Sequence, residues 1–341
     1  MRARELGIVI GRRPAGPANA ITDVAGVAVG HANHEPDHTG VTTVLPGVDR
    51  DPWLEPYFVG SARLNGAGEV AGLAQIEEWG IGETGIHLTG TPYVGAVYDA
   101  ATRLAMARQP LIGVDDVVIP IVAECDPSSV CDVRGGPPPD LALVTRSYDE
   151  ASTGPVAEGQ VGAGVGMHCF DWAGGIGTAS RRAGPYTVGV LLLVNFGDAE
   201  DLRIDGDAVG ARVGAPPTRG GEGSCACVLA TDAPLLPQQL ERVARRIFLG
   251  LARTGSYGAN GSGEVAVAFS TANRAALRRD QPGSAASIEM LRNGALNELF
   301  AATVEASEEA VLNALFGART VNGPIGTTHA FDVERWRATA R

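Results

Sequence analysis

The sequence Thr187-Val-Gly-Val-Leu-Leu-Leu-Val194 constrains the fold more than any other stretch of the chain. It is apolar without alternation and far shorter than the roughly 20 residues a bilayer helix needs. Such a run reads as a strand covered on both faces, with Asn195 standing polar at its end. Val117–Val122 is a second apolar run, broken only by Pro120 and leading to Glu124, with the proline favouring an edge strand or a bulge. Ser224–Ala230 and Glu264–Ser270 read as strands, as do the shorter segments Gly26–Val29, Gly40–Leu45 and Ile86–Thr89 between glycine turns. Helical spacing is expected near 69–79, 96–106, 287–299 and 300–316. A longer amphipathic helix is expected over about 236–253, after the start signal Thr231-Asp-Ala-Pro234. Buried strands mixed with long helices predict an α/β (α+β layered) architecture of stacked sheets covered by helices. One domain over residues 1–341 is expected.

Composition removes whole classes of function. All 27 basic residues are arginine, and the absence of lysine excludes Schiff-base chemistry, the Walker A lysine, kinase lysines and Ser/Lys dyads. The net charge of −12 argues against nucleic-acid or anionic-membrane partners. Hydrophobic residues make up 45%, enough for a large core. The 46 glycines, roughly twice the usual share, have no three-residue period and mark tight turns and close backbone approaches. No signal-like segment opens the chain, so a cytoplasmic location with five reduced cysteines is expected. His31, His34 and His38 could hold a metal, but no other ligand is placed beside them and a polar loop is preferred. No metal or organic cofactor is expected. Gly162-x-Gly164-x-Gly166 fails the dinucleotide spacing, and neither Ser224 nor Ser262 carries the glycines of GxSxG.

Two features remain. Gly223-Ser224 puts a hydroxyl at the boundary between the linker-like Ala215–Gly223 and a strand. Asn260-Gly-Ser-Gly-Glu264 opens another strand. If that strand begins at Ser262, period-two alternation puts Ser262 and Glu264 on one face, a carboxylate beside a hydroxyl. The plain alternative makes Ser224 a loop serine and the pair a solvated strand end.

From Arg2 to Asp332 the chain resembles the self-processing L-aminopeptidase/D-Ala-esterase-amidase and β-peptidyl aminopeptidase family, the DmpA-like enzymes. The residues that carry the resemblance are Asn19-Ala-Ile-Thr-Asp-Val-Ala-Gly-Val-Ala-Val-Gly-His31, Leu64-Asn-Gly-Ala-Gly-Glu69, Gly174-Gly-Ile-Gly-Thr-Ala-Ser-Arg181, Ala230-Thr-Asp-Ala-Pro-Leu235, Gly250-Leu-Ala-Arg-Thr-Gly255, Gly261-Ser-Gly-Glu264 and Ala302-Thr-Val-Glu-Ala-Ser-Glu-Glu309. The resemblance implies an αββα sandwich like that of the N-terminal-nucleophile hydrolases, with its own connectivity. It also implies self-cleavage between Gly223 and Ser224, giving an α chain of 1–223 and a β chain of 224–341. Carried over residue by residue, it makes Ser224 the nucleophile, with Ser262 and Glu264 orienting and polarising the Ser224 amine and hydroxyl. Asn195 becomes the oxyanion donor and Glu124 the group that meets the substrate's free amine; an arginine-paired strand-end carboxylate is the alternative for Glu124. A homo-oligomer, a tetramer of α/β heterodimers, is implied as well.

One position departs from the pattern. The founding enzyme has a tyrosine two residues after this glutamate, and this chain has Asp126, which when ionised cannot donate a hydrogen bond. Acyl transfer or linear-oligoamide hydrolysis are alternatives on the same fold, although those relatives use threonine. An uncut, non-enzymatic homologue is the third alternative.

Overall fold

The computed structural model describes residues 1–34, 39–214, 216, 223–281 and 283–339. Two sheets stack face to face. The first has strand order Ala28–His34, Thr39–Leu45, Ile86–Gly90, Ile121–Cys125, Val70–Ala71. The second runs Gly175–Ala183, Tyr186–Asn195, Ser224–Thr231, Gly263–Ser270, Tyr57–Arg63, Ile81–Gly82. Between them lies an apolar layer that includes Val44, Ile86, Leu88, Ile121, Leu191, Leu193, Ala226 and Val267. Helices Val94–Arg108 and Leu141–Asp149 cover the outer face of the first sheet. Helices Pro237–Ala244, Ile247–Arg253 and Leu296–Gly317 cover the second. This agrees with the stacked sheets covered by helices expected from the buried strands and long helices, and with the αββα sandwich that the resemblance implies.

Register decides where chemistry can occur. Tyr186–Asn195 pairs antiparallel with Ser224–Thr231, so Asn195 lies opposite Ser224. Ser224–Thr231 and Gly263–Ser270 are parallel, and their crossover runs through the helices between 237 and 253, so both strands begin at the same edge and Ser224 lies opposite Gly263. In the facing sheet Ile121–Cys125 runs parallel to Ile86–Gly90, carrying Glu124 towards its C-terminal end.

Several expected elements differ. The segment 69–79 is a short strand, Val70–Ala71, and then a helix Leu73–Trp79; Gly72 between them has φ 92°, which no right-handed helix accepts. Pro120 precedes its strand, which is neither an edge strand nor a bulged one. The helix expected over 236–253 breaks at Arg245–Arg246, and its second part packs Gly250 against the Val304 carbonyl. Residues 287–292 are not helical, because Asn273 holds the Glu289 backbone at both its N–H and C=O and Leu291 N–H donates to the Pro234 carbonyl. The two C-terminal helices are one, Leu296–Gly317, with nothing between Leu299 and Phe300 to interrupt it. The polar stretch after Asp198 buries Leu202, Ile204, Val209 and Val213 in the core, while 215 and 217–222 lie outside the described residues.

His31 and His34 belong to a strand, not a loop. The His31 ring pairs with the Thr42 hydroxyl at 2.9 Å and His34 with the Pro137 carbonyl at 3.0 Å; His38 lies outside the described residues. Two quoted motifs are structural: Arg181, fully buried, bonds Glu309 and the carbonyls of Ile10 and Ser180. Among the described residues no helix is long and apolar enough to cross a membrane.

Candidate active site

Three adjacent strand ends meet at Ser224. Asn195 closes one strand, Ser224 opens the next and Gly263 opens the third, so the Gly223–Ser224 peptide sits between two backbones. The carbonyl of Gly223 accepts a hydrogen bond from the Gly263 N–H at 3.2 Å. A side chain at 223 has no room: a Cβ there would lie 1.8 Å from the Asn195 carbonyl oxygen. Glycine at 263 has a like cause, with the Ala67 carbonyl 2.4 Å from its notional Cβ.

Alternation sorts the side chains by face. Ser224 shares the face of Ala226, towards the other sheet, where Cys125 and Leu193 lie. Glu264 is in register with Cys225 and shares the face of Ala266, towards the helices. The strand begins at Gly263, one residue later than the spacing allowed for, yet Ser262 still reaches Glu264: its hydroxyl donates to Oε1. Ser262 and Glu264 are thus brought together, on the opposite face from the Ser224 side chain. Oε2 of Glu264 is buried with no hydrogen-bond partner among the described residues. Asn65 stands close enough to favour the charged carboxylate, but its amide hydrogens go to the carbonyls of Gly258 at 3.1 Å and Ala259 at 2.9 Å. Burial nonetheless leaves the Glu264 carboxyl above its ordinary pKa.

Asn195 is held at both ends of its amide. Oδ1 accepts from the His168 backbone N–H at 3.0 Å, and Nδ2 donates to the Asp126 carbonyl at 3.0 Å. Among the described residues one N–H of that amide is left over. Glu124, in the facing sheet, accepts from the Glu69 backbone N–H at 2.8 Å and from the Thr91 hydroxyl, and no arginine pairs with it among the described ion pairs. Burial raises its pKa, offsetting those two donors, and the nearby Asp126 and Glu69 add to the rise. Glu124, Asn195, Ser224, Ser262 and Glu264 are all at most 5% exposed.

Sequence reasoning missed Thr91, the Gly263 N–H, the His168 N–H and Cys125, which lies against Ser224 and sends its thiol to the Leu193 carbonyl at 3.4 Å. Gly263 and Glu69 stood inside motifs that carry the resemblance, but without an assigned role. Among the described residues no three His, Cys, Asp or Glu side chains are grouped to hold a metal ion.

The model of peptidase family S58 matches residues 19–329. The chain belongs to peptidase family S58. Among curated proteins this S58 peptidase is 41% identical over 360 residues to β-peptidyl aminopeptidase BapA of Sphingosinicella microcystinivorans, covering 96% of this chain and 88% of that protein. The BapA of Sphingosinicella xenopeptidilytica is 40% identical over 94% of this chain and 86% of that protein. Among solved structures, a Burkholderia sp. β-aminopeptidase superposes with a TM-score of 0.92 at 39% identity, covering 100% of this chain and 98% of that one. The L-aminopeptidase D-Ala-esterase/amidase of Ochrobactrum anthropi, described as a prototype serine aminopeptidase with a variant of the Ntn-hydrolase fold, gives 0.92 at 36% identity over 100% and 98% of the two chains. The S58 chain therefore has the DmpA-type Ntn-hydrolase fold and is a peptide-bond hydrolase of the serine aminopeptidase kind.

Proposed function

We propose that this S58 peptidase cuts its own Gly223–Ser224 bond and then, with Ser224 as N-terminal nucleophile, releases N-terminal residues from small peptides, amides or esters that carry a free amine. The single observation that carries this reading is the convergence of Asn195, Ser224 and Gly263 on one carbonyl-bearing strand end.

In the self-cleavage, Ser224 Oγ bonds to the Gly223 carbonyl carbon, the C–N bond breaks and the nitrogen takes the proton as a free amine. Water then hydrolyses the resulting ester, leaving a Gly223 carboxylate. The Gly263 N–H is placed to stabilise charge on the attacked carbonyl oxygen. The freed α-amine has an ordinary pKa of about 7.7 to 8.0, so a useful fraction is neutral near pH 7 and accepts the Ser224 hydroxyl proton. Ser224 and Glu264 stand on adjacent strands, and Oε2 of Glu264, without a hydrogen-bond partner among the described residues, is the acceptor this reading assigns to the freed amine.

On a substrate, Ser224 Oγ attacks the carbonyl, the remaining N–H of Asn195 donates to the oxyanion, and the α-amine passes the proton to the leaving nitrogen. Water releases the acyl group from Ser224. Glu124 takes the substrate ammonium. Its oxygens each keep acceptor capacity after Glu69 and Thr91 are served. Four α/β units assembled as a homo-oligomer complete this reading.

The test is Ser224→Ala, followed on a gel and with an aminoacyl p-nitroanilide. An uncut chain without hydrolysis is expected, together with wild-type inactivity on the N-acetylated substrate. A cut, active Ser224→Ala protein overturns the reading.

A further inference from the structure

We propose that Asp126 is a positioning residue for Asn195: its carboxylate fastens the turn whose own backbone carbonyl holds the Asn195 amide in place. This rests on Asn195 being the oxyanion donor. The Asp126 side chain is exposed. Its Oδ1 accepts from the Ser128 backbone N–H at 2.9 Å and its Oδ2 from the Ser128 hydroxyl at 2.7 Å, a closed turn built on one carboxylate. Pro127 fixes φ inside that turn, and its carbonyl accepts from Val130 N–H at 3.1 Å and Cys131 N–H at 2.9 Å. The chain leaving the Ile121–Cys125 strand is therefore anchored at each residue from 126 to 128.

The carbonyl of Asp126 faces inward and accepts from Asn195 Nδ2 at 3.0 Å, while His168 N–H fixes the other end of the amide at 3.0 Å. A carbonyl on one side and an N–H on the other permit only one orientation of the amide, with its nitrogen, and so its spare hydrogen, on the Asp126 side. The aspartate at this position thus acts through its main chain on the neighbouring donor, where a tyrosine would offer a hydroxyl directly.

The experiment measures kcat and KM on matured wild type, Asp126→Ala, Asp126→Asn, Asn195→Ala and the double variant Asp126→Ala/Asn195→Ala. Asparagine keeps both contacts, its Oδ1 accepting the Ser128 N–H and its Nδ2 donating to the Ser128 hydroxyl oxygen, and removes the charge. The expected results are a kcat for Asp126→Ala about 10- to 100-fold down with KM within about twofold, and Asp126→Asn close to wild type. Asp126→Ala should have no further effect on kcat in the Asn195→Ala background. Equal losses in Asp126→Ala and Asp126→Asn, carried by KM, overturn the proposal in favour of a direct charge effect on the substrate amine. Additive losses in the double variant overturn it as well. An Asn195→Ala enzyme with undiminished kcat removes Asn195 itself from the oxyanion site and marks the failure as that of the underlying reading. If Asp126→Ala does not mature, Ser128→Ala decides: lowered kcat at unchanged KM supports the proposal, and wild-type kcat overturns it.

Discussion

Gly223→Ala isolates the geometry of the self-cleaved bond from the chemistry of the mature enzyme. A Cβ at 223 would stand 1.8 Å from the Asn195 carbonyl oxygen, 2.6 Å from Phe196 Cα and 2.7 Å from the Asn195 carbonyl carbon. All three are backbone atoms, so no side-chain rotation relieves the clash. To reach 3.0 Å, the closest approach real Cβ atoms make, the Tyr186–Asn195 strand and residue 223 must part by more than an ångström. That movement pulls Asn195 from its place opposite Ser224 and strains the Gly263 N–H bond to the scissile carbonyl. Overpacking of this kind destabilises by about 1–3 kcal/mol. An ångström of misplacement at a reacting centre slows the step by about a hundredfold, near 2.7 kcal/mol of barrier. The assay is a time course of uncut chain on a denaturing gel from freshly purified protein, with the matured fraction then isolated and assayed. Cleavage slowed by about two orders of magnitude is expected. Near-normal kcat/KM is expected in whatever matures, because residue 223 is then a free chain end. Processing of Gly223→Ala at the wild-type rate would refute the placement of the bond between these strands.

Two further outcomes follow from the same structure. Glu124→Gln should raise KM by about 10- to 100-fold, the loss of one charge-assisted contact, with a smaller change in kcat. Burial holds the Glu124 carboxyl above its ordinary range and only the ionised form binds an ammonium, so wild-type KM should rise as pH falls through that elevated pKa. In Glu124→Gln this acid rise should be absent; a pH-independent wild-type KM, or an unchanged KM in the variant, refutes the assignment. Arg181→Ala strips the buried Glu309 of a partner and should destabilise by about 3–5 kcal/mol. Urea unfolding of the uncut Ser224→Ala chain reads this, and a loss under about 1 kcal/mol contradicts it. Burial alone would raise the Glu309 pKa, but Arg4 and Arg181 hold it below the ordinary value. Its contribution is therefore present above the ordinary carboxylate pKa and lost as pH falls through the lower folded one.

The strands were legible because unalternating apolar runs have few other uses. Tyr186–Asn195, Ser224–Thr231 and Gly263–Ser270 all fall within a residue or two of their expected bounds. Helix ends were less so, since the break at Arg245–Arg246 and the extended path of 287–292 depend on contacts with distant residues such as Asn273 and Pro234. Within the site, spacing allowed a Ser262–Glu264 pair on condition that the strand begin at Ser262, and the resemblance gave the pair its role; the strand begins at Gly263, and the two side chains meet all the same. The pair's face relative to Ser224 did not follow from spacing, because that depends on the register between two strands joined through helices. Asn195 and Glu124 showed as polar residues closing apolar runs. The groups that aim them, the Asp126 carbonyl, the His168 and Glu69 N–H groups and Thr91, are mostly backbone and leave no mark in residue identity.

The central claim, a serine freed as N-terminal nucleophile by the chain's own cut, is tested most directly by the intact mass of purified wild-type protein with N-terminal sequencing of the smaller species. Two fragments of about 23 and about 12 kDa are expected from 35.1 kDa divided in proportion to length, the smaller beginning at Ser224 and both present in the active fraction. A single 35.1 kDa species that hydrolyses aminoacyl amides, or a β chain beginning at any residue other than Ser224, would contradict it.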